Sequence, residues 1–286
     1  MSSGTAFETY DWHIGEHFLK GKTSETANED RIVITPYYIG VIDGATSKSD
    51  FRPAGQTTGQ WAARLVEAAI RTLPPTAPWS AVTSHITCRL QRFYAENGLT
   101  DTVRQHPEQR LTASCALYSR HLQAVALIGD CQCLVGEKYF SNGKKIDGLL
   151  AAARAAWNEA ALLQGKSVAE LLENDEGRAF IRPFLVKQSV FQNLPATGHP
   201  YAYGVFDGFP LPAGQVRGLP VPPQTPVVLA TDGYPQLFPT LRQSEDHLAG
   251  LLQKDPLCIR SYQSTKGMYK GQCSFDDRAF ISFSSF

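Results

Sequence analysis

The sequence predicts an α+β domain in which helices cover a sandwich of β-sheets. Three observations predict it. Short runs rich in Val, Ile and aromatic residues cluster near the start, the middle and the end of the chain. Two amphipathic helical patterns stand side by side instead of alternating with strands, so the order does not read as a βαβ repeat. No internal repeat divides the 286 residues, which we read as one domain spanning 1–286.

The opening segment, 1–19, reads as irregular, and the irregular stretch extends to about Asn28. Residues 31–35 and 37–42 read as strands around a turn at Pro36, and 45–54 as a polar loop. Trp61, Leu65, Val66, Ala69, Ile70 and Leu73 fall on one helical stripe, with Thr57 or Thr58 as N-cap and Pro74-Pro75 as terminator. Trp79, Val82, Ile86, Leu90 and Phe93 mark a second helix ending near Asn97-Gly98. Residues 112–119 and 123–128 form a hairpin pattern that 131–136 continues. The insertion 137–191 is helical, Ala-rich over 148–172, broken at Gly165 and restarted by Ser167. Residues 201–206 read as a strand, 210–226 as a Pro- and Gly-rich surface loop, 227–231 and 278–283 as strands, and 236–252 as partly helical.

Composition narrows the function. Basic and acidic residues number 27 each, so no net field favours nucleic acid. Residues 1–5 lack the basic start and apolar core of a signal peptide. The most apolar stretch, 149–163, is interrupted by Arg154, Asn158 and Glu159, so no membrane span is expected. A cytoplasmic, monomeric protein is the expectation. The six cysteines contain no C-x-x-C pair, and Cys131 and Cys133 fit one face of a strand as packing residues. His13 and His17 would share a face if their segment were helical, but no third zinc ligand accompanies them. Lys144-Lys145 is too short to signal nucleic acid. No P-loop and no G-x-S-x-G nucleophile occurs, and Val41 excludes an Asp-x-Asp phosphatase motif ending at Asp43.

The chemistry-bearing signal is a set of aspartates at the ends of apolar runs. Asn28, Glu29 and Asp30 precede 31–35. The run 38–42 ends in Asp43-Gly44, and 227–231 ends in Asp232-Gly233. Asp276-Asp277 opens 278–283. Carboxylates at strand ends beside glycines are placed to converge on hard divalent cations, which take oxygen ligands. Val205–Asp207-Gly208 echoes the pattern, but the Pro-rich sequence after it marks Asp207 as structural.

In this order the motifs resemble the metal-dependent protein phosphatase 2C family: Glu29-Asp30, Asp43-Gly44, Gly129-Asp130-Cys131, Thr231-Asp232-Gly233 and Asp276-Asp277. The resemblance covers roughly residues 20–286. It implies an αββα sandwich of two antiparallel β-sheets flanked by helices, with two or three Mg2+ or Mn2+ ions at one end. It implies that Asp43 bridges two ions, the Gly44 carbonyl and Glu29 serve the second, Asp232 and Asp276 hold the first, and Asp130 serves a third. Asp43 and Asp232 thereby become the residues on which catalysis depends. The implied activity is hydrolysis of phosphoserine or phosphothreonine in proteins by a hydroxide bridging the two metals. The alternative is a catalytically weak domain that binds a phosphoprotein or a phosphorylated metabolite. Two departures stand out. Glu25 occupies the position of the family's phosphate-gripping arginine, so Lys22, or Lys20, is the candidate for that role. Ala45 replaces a histidine found in some relatives.

Overall fold

The computed structural model describes residues 10–285 except 47, 49 and 196, and its fold is αββα. Among the described residues, ten strands form two antiparallel sheets of five. The first sheet runs β2 (Asp30–Ile34), β3 (Tyr38–Gly44), β4 (Ala113–Ser119), β5 (Ala124–Ile128) and β8 (Arg217–Pro220). The second runs β1 (His13–Lys20), β10 (Arg278–Ser284), β9 (Pro226–Ala230), β6 (Gln132–Val135) and β7 (Lys138–Ser141).

Period-two alternation divides β3 between two cores. Ile39 and Val41 face the second sheet, packing with Cys133, Leu229, Ile281 and Phe283. Tyr38 and Ile42 face outward onto α1 (Thr58–Arg71) and α2 (Trp79–Glu96), where Val66, Ile70, Ile86 and Leu90 are fully buried. On the far side, Leu248 and Leu252 of α7 (Leu241–Lys254) cover Val228, Ala230 and Phe280. Because every central strand is covered on both faces, all seven residues of β4 are buried, and the strands read as continuous apolar runs.

Several local expectations hold. Thr57 caps α1 in a reciprocal capping box with Gln60, and Ser167 does the same with Glu170 at the start of α5 (Val168–Glu173). Cys131 and Cys133 are buried between the sheets as free thiols.

The structure corrects others. The segment 1–19 is not irregular throughout: 13–20 is β1, an edge strand whose alternating exposed and half-buried residues weaken its signal, while residues 1–9 lie outside those described. His13 and His17 therefore sit on a strand. Residues 131–136 do not continue the β4–β5 hairpin; Gly129, at φ +73°, turns the chain across to the second sheet, where β6 pairs with β9 and β7. Residues 201–206 make only isolated bridges, Phe206 to Ala113 and Tyr203 to Gln192. The loop 210–226 contains β8, paired with β5. A short α3 (Thr100–Gln105) follows α2. The insertion 137–191 begins with β7, then holds α4 (Lys145–Leu163), α5 and α6 (Glu176–Lys187), the last despite Pro183. Among the described residues no helix is long and apolar enough to cross a membrane.

Candidate metal and phosphate site

The sandwich brings the sequence-distant aspartates to one end. Asp43 is the next-to-last residue of β3, with Asp30 and Ser114 as its register neighbours on the two sides. Asp130 follows β5, and Asp232 follows β9. Carboxylate oxygens of Asp43, Asp130 and Asp232 lie within 4.8 Å of one another. All three are half-buried and line a cavity of about 410 Å³ whose other walls come from the insertion and from residues 262–266.

Backbone packing fixes the Asp43-Gly44 turn. The Gly44 amide donates to the Glu29 carbonyl at 3.2 Å, and the Ala45 amide to the Thr112 carbonyl at 2.9 Å. A Cβ on Gly44 would lie 2.3 Å from the Gly59 carbonyl oxygen, so only glycine lets α1 approach this closely. At Gly129 a Cβ would lie 2.2 Å from the Ser114 hydroxyl oxygen. That hydroxyl instead donates to Asp130 at 2.5 Å. The Gln132 side-chain amide donates to the Thr231 and Tyr234 carbonyls at 2.9 and 2.8 Å, holding the turn that presents Asp232.

Glu29 and the Asp276-Asp277 pair lie beside the cluster. Thr57 and Thr46 donate their hydroxyls to the two Glu29 oxygens at 2.5 and 2.7 Å. Asp277 accepts from the backbone amides of Lys22 and Glu29 at 2.7 and 3.1 Å, so it ties two segments together. Asp276 receives the ammonium groups of Lys22, at 3.1 Å, and Lys266. Lys22 also bonds Asp277 at 3.3 Å and the Thr46 hydroxyl at 3.2 Å, and lies 3.8 Å from Glu29. Lys20 sits at the end of β1 opposite Arg278, with its charge acting on Glu245 instead. Glu25 is exposed in a short 3₁₀ turn.

The electrostatics are those of crowded anions. Burial, then repulsion from Asp232, Asp30 and Asp130, raises the Asp43 carboxyl well above its usual range. Burial likewise raises Asp232, opposed by Lys266. Asp30 is pushed up to about 8, first by burial and then, against a 2.6 Å hydrogen bond from Thr231, by Asp277 and Asp232. Asp130 goes the other way: burial opposes ionisation, but the Lys144 ammonium at 2.6 Å and the Ser114 hydroxyl hold it down at about 2.

Sequence reasoning missed the cationic half of this site. Lys144 was visible only as half of a short basic pair, and Lys48 and Lys266 stand alone in polar loops with no local pattern to single them out. Asp207, by contrast, is structural as expected: fully buried, it accepts from Arg110, Asn193 and the Phe209 amide at 3.0, 2.7 and 2.9 Å.

The donor set fits a hard divalent cation. It consists of oxygens only, and its carboxylates are destabilised by one another in a way that bound cations would relieve. No protein-family model and no curated protein matches the chain. Solved structures to which it is similar include the catalytic domain of the serine/threonine phosphatase PstP in complex with two manganese ions, at 12% identity and TM-score 0.47, covering 95% of this chain and 97% of that one. The phosphatase MsPP from Mycobacterium smegmatis, a PPM serine/threonine phosphatase, aligns at 10% identity and TM-score 0.46 over 94% and 96% of the two chains. Stp1 from Staphylococcus aureus aligns at 13% and 0.44 over 99% of each. The fold and the chemistry of this chain rest on the residues described above.

Proposed function

We propose that this protein is a Mg2+- or Mn2+-dependent phosphatase that hydrolyses phosphoserine or phosphothreonine in proteins. The observation that carries the reading is the convergence of Asp43, Asp130 and Asp232 on one accessible point at the end of the sandwich. Asp43 and Asp232 would hold the cations, with Asp276, Glu29 and the Gly44 carbonyl at the edges and Asp130 towards a third position. When bound, a pair of such cations acidifies water and shields phosphoryl oxygens. Asp43 and Asp232, holding the cations, would orient a water for in-line attack on phosphorus. The new P–O bond to water would form as the ester P–O bond breaks, a proton of that water would pass to the leaving alcohol, and inorganic phosphate would remain. The Thr46 and Thr57 hydroxyls hold the Glu29 carboxylate, and the Ser114 hydroxyl holds that of Asp130, which lines the cavity.

One observation favours a second reading. Lys22 and Lys266 already neutralise Asp276, as they would in a phosphatase-like domain that binds a phosphorylated ligand without turnover. Phosphate release from phosphoserine and phosphothreonine peptides separates the two. The proposal expects release with Mn2+ that EDTA abolishes. Peptide binding without release in any metal would favour the binding domain.

A further inference from the structure

Among the described residues, Lys48, Lys144 and Lys266 line the cavity, Lys22 bonds the neighbouring Asp276-Asp277 pair, and Arg178 bonds the cavity-lining Thr265; these cations divide into two groups. Lys22, Lys144 and Lys266 each bond a carboxylate. Lys48 and Arg178 do not: among the described residues, neither side chain has a carboxylate within ion-pair distance. The Lys48 ammonium donates to the Thr46 carbonyl at 2.7 Å, and an Arg178 guanidinium nitrogen donates to the Thr265 carbonyl at 2.6 Å. Lys48, Thr265 and Lys266 line the same cavity as Asp43, Asp130 and Asp232. Lys48 on the cavity wall, and Arg178 bonded to the wall residue Thr265 and close enough for its charge to act on Lys48, are thus cations held by carbonyl oxygens, each without a carboxylate partner of its own.

We propose that Lys48 and Arg178, flanked by Lys266, form the subsite that takes the phosphoryl group of a phosphomonoester substrate. The proposal deepens the phosphatase reading and rests on it for the nature of the ligand. A phosphomonoester dianion supplies the missing charge and several acceptor oxygens. The guanidinium fork and the ammonium differ in how they use them: the first can bind two oxygens in a plane, the second one oxygen as a point charge. The electrostatics agree. Burial first, then the Arg178, Lys266 and Lys144 charges, push the Lys48 ammonium down to about 7, and a bound anion would reverse that repulsion. The arrangement also accounts for Glu25 and Lys22. No arginine stands at position 25, and Lys22 is committed to Asp276 and Asp277. The guanidinium that faces phosphate instead comes from the first turn of α6, where Asp175 caps the helix by accepting from the Arg178 amide at 2.8 Å. Half of the subsite thus belongs to the insertion, which makes the insertion a wall of the substrate site.

The test is calorimetric titration of inorganic phosphate into the full chain, once saturated with Mn2+ and once in EDTA. Wild type is compared with Lys48→Met, Arg178→Met and Arg178→Lys, and Mn2+ affinity is measured in each. The expected result is phosphate binding weakened roughly tenfold to a hundredfold in the two Met variants, as for loss of a charge-assisted hydrogen bond, with partial recovery in Arg178→Lys and Mn2+ affinity unchanged. Arg178 also anchors Thr265, so its loss could disturb the loop. Among the described residues the Lys48 ammonium bonds only the Thr46 carbonyl of its own loop, and Lys48→Met keeps the test decisive. Phosphate affinity equal to wild type in Lys48→Met, or no phosphate binding by wild type in either condition, would overturn the subsite. Loss of Mn2+ binding by wild type would instead count against the phosphatase reading, while phosphate binding in EDTA would still support the subsite.

Discussion

Asp43→Asn is expected to stabilise the metal-free protein and, at the same time, to abolish Mn2+ binding and hydrolysis. Asp43 is raised by burial and by three neighbouring carboxylates, so its ionised form is less favourable in the fold than in the unfolded chain. The native state then holds more protons than the unfolded state, and stability falls as pH rises. Asp30, raised from 3.8 to about 8, behaves in the same sense and sets the window, from about pH 4 to about pH 8. Asparagine removes one of the repelling charges and keeps the shape. A higher melting temperature for the variant than for wild type is therefore expected at the upper end of the window. Thermal melts in EDTA across that window, wild type beside variant, measure it. A variant no more stable than wild type at the upper end, or one that still binds Mn2+, would contradict the account of the site as crowded anions waiting for cations.

Arg154→Met is expected to loosen the insertion from the rest of the site. The Arg154 guanidinium is fully buried. It donates to Asp175 at 2.8 Å and to the Leu257, Cys258 and Ser264 carbonyls at 2.8, 3.2 and 3.0 Å. One side chain on α4 therefore holds both the N-cap of α6 and the loop leading to Lys266. Truncation leaves the buried Asp175 charge without its partner, a loss of about 3–5 kcal/mol. Urea denaturation should show that loss, and limited proteolysis should show faster cleavage within 145–187. Adding Asp175→Asn should recover part of the stability, because the orphaned charge is removed while asparagine still caps the helix. A loss below about 1 kcal/mol in the single variant would mean that the network carries little of the insertion's docking.

Arg154 also shows where the sequence stops being legible. Arg154, Asn158 and Glu159 read as polar interruptions of an apolar run. In the structure the first two are the buried centre of the insertion, and Glu159 pairs with Arg260 across the loop at 2.5 Å. Periodicity cannot distinguish a solvated polar residue from a buried, fully bonded one, because the partners at 175 and 257–264 come from other elements. The same reason hid β1 and β8. Both are edge strands, half-exposed, and their pairing partners lie far away in sequence. The aspartates were easier. Each follows an apolar strand and stands beside a glycine or a second acidic residue, so local pattern alone placed Asp43 and Asp232 at strand ends, and order along the chain joined them into one site. The cations had no such signal. A balance of 27 basic and 27 acidic residues averages away Lys48, Lys144 and Lys266, which the fold gathers into the cavity wall.

The measurement that tests the central claim most directly is hydrolysis of p-nitrophenyl phosphate by the full chain with Mn2+, with Mg2+ and with EDTA, alongside Asp232→Asn. The account predicts turnover in at least one of the two metals, none in EDTA, and a loss in Asp232→Asn of at least about a hundredfold, as when a group stabilising transition-state charge is removed. Turnover that persists in EDTA, or an Asp232→Asn variant as active as wild type, would contradict it.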